Sequence, residues 1–106
     1  MIRIVKLHFK KEKLSDFIAH FEMVKKKINA FPGCKGMKLL QDKKSENIVF
    51  TYSEWETEQD LENYRQSALF QSIWPVIKAW FDQRAEAWST EPFFDGFDTI
   101  STNGEK

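Results

Sequence analysis

Among the side chains that could carry proton chemistry, His8, His20, Cys34 and Tyr64 are singled out first by type. An imidazole at His8 could serve as a base near neutral pH, and a phenol at Tyr64 could position a substrate hydroxyl or share its proton. Trp55, Trp74 and Trp80 offer flat apolar faces for a pocket, while Arg84 offers a charge to counter an anionic substrate. Each also has a plainer role. His8 can be a structural residue of a sheet face, and His20, set between the apolar positions of a helix, is expected in solvent. Tryptophans at strand and helix spacing are more often core. Trp88 reads as an interface residue, Arg84 can simply pair with Glu86 or Asp82, and Cys34 can be an inert loop thiol.

Several chemistries lack support. Two histidines far apart and one cysteine do not supply the ligand set of a structural zinc, so no metal is expected. There is no glycine-rich phosphate loop, nucleophile elbow or dinucleotide fingerprint. Sixteen basic residues balance sixteen acidic ones, leaving no net field to attract nucleic acid or an anionic membrane. The lone cysteine excludes an intramolecular disulfide and suits a reducing compartment. The opening Met1 to Leu7 alternates apolar and charged residues, unlike a signal peptide, and no apolar run reaches membrane-spanning length. A cytoplasmic protein is expected.

The elements that must position these groups follow from periodicity. With 106 residues, 42% apolar and 15% aromatic, the chain supports one cored domain. Ile2 to Phe9 alternates with period two, as a strand does. From Leu14, the residues Phe17, Ile18, Phe21, Val24 and Ile28 keep helical spacing, and Phe31-Pro32-Gly33 stops that helix. Met37 to Gln41 and Ile48 to Trp55 read as strands of a hairpin. Thr57 can cap a short helix through Tyr64, with Asp60 as its capping-box acid. Ser67 can cap a further helix bearing Leu69, Phe70, Ile73, Ile77 and Trp80, in which Pro75 predicts a kink or restart near Trp74. Ala85 to Thr90 reads as a fourth strand. The order β-α-β-β-α-α-β predicts an α+β fold, the ferredoxin-like split β-α-β, with helices on one face of a four-stranded antiparallel sheet.

Both faces of that sheet are partly apolar. Val5, Leu7 and Phe9 share one face of the first strand with Arg3, while Ile2, Ile4 and His8 share the other with Lys6. Ile48, Phe50 and Tyr52 likewise oppose Val49, Thr51 and Trp55. If Val5, Leu7 and Phe9 face the helices and a cavity, His8 faces away from them. Helices cover one face only, so the other predicts a homodimer. Residues 1–91 form the expected domain. Residues 92–106, with Phe93, Phe94 and Phe97, form an extension expected to reach the partner and to fray from Thr102 to Lys106.

Trp55-Glu56-Thr57 followed by Leu61, Tyr64, Ser67 and Phe70, and then Ala87-Trp88-Ser89, resembles the antibiotic biosynthesis monooxygenase family of dimeric α/β barrels over residues 1–91. The resemblance implies oxygenation of a small electron-rich aromatic, quinol-like or anthrone-like, by molecular oxygen with no cofactor, the substrate supplying the electrons. Tyr64 stands where many members carry a histidine. Haem-degrading relatives use an Asn, a Trp and a His where this chain has Val5, Tyr64 and Trp74, so the resemblance supports neither haem binding nor haem cleavage. It leaves Tyr64 and His8 as catalytic candidates, and Val5, Trp55, Trp74, Trp80 and Arg84 as substrate-binding candidates. The competing expectation is a non-catalytic dimeric barrel that binds an apolar small molecule or a partner protein.

Overall fold

The computed structural model describes residues 1–97. Strand β1 (Ile2–Phe9) leads through a short 3-10 turn into helix α1 (Leu14–Asn29), followed by β2 (Cys34–Gln41), β3 (Ile48–Trp55), α2 (Glu58–Arg65), α3 (Ala68–Lys78) and β4 (Phe81–Thr90). The four strands form one antiparallel sheet in the order β2-β3-β1-β4. This is the ferredoxin-like fold. The contacts within it are dictated by parity: β1 sits between β3 and β4, so its side chains alternate between two environments.

On the helix side, Leu7 and Phe9 are sealed at 1% and 0% exposure and pack with Phe17 and Ile28 of α1, Val49 of β3, and Ile73 and Ile77 of α3. Phe9 stacks on Phe17 at 4.4 Å between ring centroids. The hairpin is held by short-range polar geometry. Asp42 Oδ2 accepts hydrogen bonds from the Lys44 and Ser45 N–H groups, and the buried Asn47 Nδ2 donates to the Phe9 carbonyl at 2.8 Å.

The helix starts obey the expected capping. Thr57 Oγ1 accepts the Asp60 N–H at 3.0 Å and donates to Asp60 Oδ2 at 2.9 Å. Ser67 Oγ accepts the Phe70 N–H at 3.1 Å and donates to the Tyr64 carbonyl, which fixes the α2–α3 corner. Gly33 adopts φ +87°, and a Cβ there would collide with the Asp60 side chain, so the approach of β2 to α2 requires glycine.

Four local expectations are corrected. No restart occurs at Pro75: α3 is one helix through Lys78. Both Pro75 and Gln71, four residues earlier, lie on the exposed face, where the carbonyl that loses its partner can meet water. Strand β4 begins at Phe81 rather than Ala85, and β2 at Cys34 rather than Met37. In each case a register shift, between Lys6 and Phe9 on β1 for β4 and at Cys34–Gly36 for β2, breaks the period-two pattern that marks a strand. His20, expected in solvent, instead buries its Nε2 without a hydrogen-bond partner among the described residues, with its ring 6.1 Å from Trp80.

The opposite sheet face carries Ile4 between Tyr52 and Trp88, and Lys6 between Phe50 and Glu86. Leu40 and Trp88 remain 46% exposed. Phe93, Phe94 and Phe97 are strongly exposed beyond β4. The fraying expected of Thr102 to Lys106 lies outside the described residues. No helix among the described residues is long and apolar enough to cross a membrane.

Candidate active site

Between the sheet and the helices lies a cavity of about 490 Å3. Its floor comes from the helix-facing parity of the sheet: Arg3, Val5 and Leu7 of β1, Thr51, Ser53 and Trp55 of β3, and Ala85 and Ala87 of β4. The two alanines are what leaves the space open, because larger side chains at those strand positions would project into it. Helix α2 contributes Leu61, Glu62, Tyr64 and Arg65, and α3 contributes Phe70, Gln71, Ile73 and Trp74.

The aromatic wall is one connected series. Tyr64 lies 5.3 Å from both Trp55 and Phe31 and 5.2 Å from Phe70. Phe70 stacks on Trp74 at 5.6 Å with 12° between planes, and Trp74 meets Phe81 edge-on at 5.5 Å. Such mutual contacts fix ring orientations, so the wall is a preformed flat surface. Trp55 is 1% exposed and ties its Nε1 to Ser53 Oγ at 2.9 Å, leaving its rings to the cavity.

Burial, reinforced by the nearby Cys34, pushes the Tyr64 hydroxyl up to about 12. Tyr64 therefore keeps its proton at neutral pH and acts as a hydrogen-bond donor, not as a base. Burial also pushes the Cys34 thiol up, partly offset by a hydrogen bond from the Gly36 backbone, so it is a poor nucleophile.

The charged groups of the cavity are Arg3, Glu62 and Arg65. Arg3 Nη1 donates to Ser89 Oγ at 2.9 Å. Arg65 Nη1 donates to Glu62 Oε1 at 3.2 Å, and Gln66 Nε2 donates to Glu62 Oε2 at 2.8 Å. Burial lowers the Arg3 guanidinium, the Arg65 charge lowers it further, and Glu62 works the other way. Arginine remains charged through shifts of this kind.

Of the residues singled out from sequence, Val5, Trp55, Tyr64 and Trp74 meet around this one cavity. His8, Trp80 and Arg84 do not line it. His8 points from the other sheet face, with Nε2 3.9 Å from Asp82 Oδ2. Trp80 packs on the core at the α3–β4 junction. Arg84 is exposed in the stretch of β4 where the register slips; the acids expected to pair with it are engaged elsewhere, Glu86 with Lys6 at 3.8 Å and Asp82 with His8. Sequence reasoning missed Glu62 and Arg65. It placed Arg3 on the core face with Val5 and Leu7, and a cation on an otherwise apolar face was the signal for a polar group entering a cavity.

The fold has solved counterparts. A conserved protein from Methanosarcina mazei superposes with a TM-score of 0.77 at 25% identity, covering 82% of this chain and 87% of its own. The Mycobacterium tuberculosis protein Rv0793 gives 0.80 at 12% identity, covering 90% and 96%. An antibiotic biosynthesis monooxygenase gives 0.77 at 19% identity, covering 87% and 100%. No curated protein matches the sequence. Residues 1–75 match the family model described as antibiotic biosynthesis monooxygenase. With that match spanning most of the domain and the same fold in the solved relatives, the chain belongs to the antibiotic biosynthesis monooxygenase family.

Proposed function

We propose that the protein is a cofactor-independent monooxygenase that oxidises a small electron-rich aromatic, quinol-like or anthrone-like, with molecular oxygen in the sheet–helix cavity. The observation that carries this reading is the aromatic-walled space of about 490 Å3, with the Tyr64 hydroxyl among its few polar groups, in a chain of this family. For an anthrone-like substrate, a ring CH2 becomes a carbonyl. One oxygen atom is retained and the other leaves as water, so the substrate supplies all the electrons. Oxygen reacts with the deprotonated, electron-rich form. The protein's part is to favour that anion: Tyr64 donates a hydrogen bond to it, and the apolar walls exclude water. Glu62 is the carboxylate among the described lining residues; Arg65 and Gln66 each occupy one lone pair of its oxygens, and the remaining lone pairs are the acceptor we assign to the substrate proton.

The active form is proposed to be a homodimer, in which a second copy covers the open sheet face. Supporting this are the half-exposed Trp88 and Leu40 and the exposed Phe93, Phe94 and Phe97. An interface of roughly 800 Å2 per partner would supply a large gross driving force before association entropy is subtracted.

The test is oxygen uptake by the purified protein with a panel of quinols and anthrones. Turnover above autoxidation is expected, and Tyr64→Phe should lower kcat by about 10- to 100-fold, in line with the loss of one oxyanion donor at an exposed-mouth site. Autoxidation-level rates from folded protein would reject the reading. A second reading, a barrel that binds an apolar molecule without chemistry, is favoured by the protonated state of Tyr64 where many relatives carry a histidine. It predicts binding without product.

A further inference from the structure

The charges at the cavity do not balance. Two guanidinium groups, Arg3 and Arg65, face a space whose sole acid among the described lining residues is Glu62. Glu62 is within ion-pair distance of Arg65, not of Arg3. Among the described residues, Arg3 has the neutral Ser89 hydroxyl as its hydrogen-bond partner and no carboxylate within 4.0 Å. A half-buried cation with no carboxylate in direct contact among the described residues, held beside a second cation and offset only by the more distant Glu62, costs free energy that folding alone does not require. This arginine stands on the helix-facing parity of a central strand, between Ile2 and Ile4 on the opposite face, among mostly apolar lining residues. Its retention there fits a ligand that supplies the missing negative charge.

We infer that the cavity takes an aromatic substrate carrying a separate acidic group, ionised at neutral pH and of the carboxylate kind, which Arg3 and Arg65 hold at the mouth while the ring system lies against Trp55, Tyr64, Phe70 and Trp74. The inference rests on the reading of this cavity as the substrate site, and it names the class of substrate. The donors needed are present. Arg3 commits one N–H to Ser89 and Arg65 one to Glu62, and a guanidinium has five in a planar fork, so both retain donors for the two oxygens of a carboxylate. The depth order follows from burial. Arg3 is half-buried under the sheet's helix side, whereas the Arg65 side chain is 47% exposed and screened by water and by Glu62. Arg3 therefore sets the preference for an anion, and Arg65 adds a smaller, salt-sensitive part. The repulsion that Arg65 exerts on Arg3 is relieved when an anion sits between them.

The test uses a matched pair of probes, 2-naphthoate and the neutral 2-naphthamide, titrated into the full chain by calorimetry at low and at physiological salt. Naphthoate is expected to bind at least about tenfold more tightly than the amide, as one desolvated charge-assisted contact provides. Arg3→Gln should remove most of that preference while leaving amide affinity within about twofold, and Arg65→Gln should reduce it by about threefold and flatten its salt dependence. Arg3→Lys, which keeps the charge without the fork, should retain part of it. Equal affinity for the two probes, or a preference unchanged in both Arg3→Gln and the exposed-site variant Arg65→Gln, would overturn the inference. Oxygen uptake is not read in this experiment, so a barrel without turnover can still satisfy it, and an active oxygenase that shows no anion preference fails it alone.

Discussion

The two faces of the sheet are built from the same strands and alternate residue by residue, yet they solve opposite problems. The helix face seals Leu7, Phe9 and Val49 and then opens, over Ala85 and Ala87, into a cavity edged by Arg3, Glu62 and Arg65. The opposite face presents Ile4, Phe50, Tyr52 and Trp88 at intermediate or greater exposure, interleaved with Lys6, Lys38 and Glu86. Lys38 lies 4.9 Å over the Tyr52 ring, so even its charges spend their stems on apolar surface. The difference separates two uses of apolar residues. One face stabilises the chain and shapes a site, and the other is available for association.

Substitutions can break this division from either side. The largest expected effect is on the sealed face: Phe9→Ala removes a fully buried ring and should cost about 3–5 kcal/mol, read as a fall in the urea midpoint. Near-unchanged stability would mean that the core is not where the packing places it. On the open face, Ile4→Glu puts a charge between Tyr52 and Trp88, and should weaken self-association at least about 100-fold, or about 3 kcal/mol, with the fold retained. Sedimentation equilibrium checks it, and an unaltered dimer would show that this face is not the interface.

A smaller effect sharpens the account of the cavity. Tyr64 is neutral when free of charge and its folded value, about 12, lies above the ordinary 10.0, so its contribution to stability is complete below pH 10 and is lost as pH climbs towards 12. At pH 11 the wild-type protein should therefore have lost about 1.4 kcal/mol more than Tyr64→Phe has, relative to pH 8. Denaturation of both proteins at the two pH values isolates the term, because Tyr52, whose hydroxyl is also pushed up by burial and by Glu54 and Asp95, is common to both. Equal losses would place Tyr64 in water.

Much of this architecture was legible in the residues. Period-two alternation announced β1 and β3, the spacing from Leu14 to Ile28 announced α1, and the capping roles of Thr57 and Ser67 appear as expected. What escaped had physical reasons. Register slips hide the starts of β2 and β4, since alternation fails where a strand bulges. The same slip left the facing of Arg84 unreadable. Trp80 has helical spacing with Ile73 and Ile77, but it lies past the end of α3, where periodicity no longer tells which way a side chain turns. The site was half visible: Val5, Trp55, Tyr64 and Trp74 converge, whereas Glu62 and Arg65 sit on a short polar helix whose sequence marks no inward face. Tyr64 could be found from sequence, but its protonation could not, because that follows from the rings packed around it.

The most direct test of the central claim, that oxygen chemistry takes place in the sheet–helix cavity, is incubation of an anthrone under 18O2 with wild-type protein and with Ala85→Phe, which fills the cavity floor. The account predicts product carrying one 18O atom from the wild type, and only the autoxidation background from the filled variant. Equal labelled product from both proteins, or none above background from either, would contradict it.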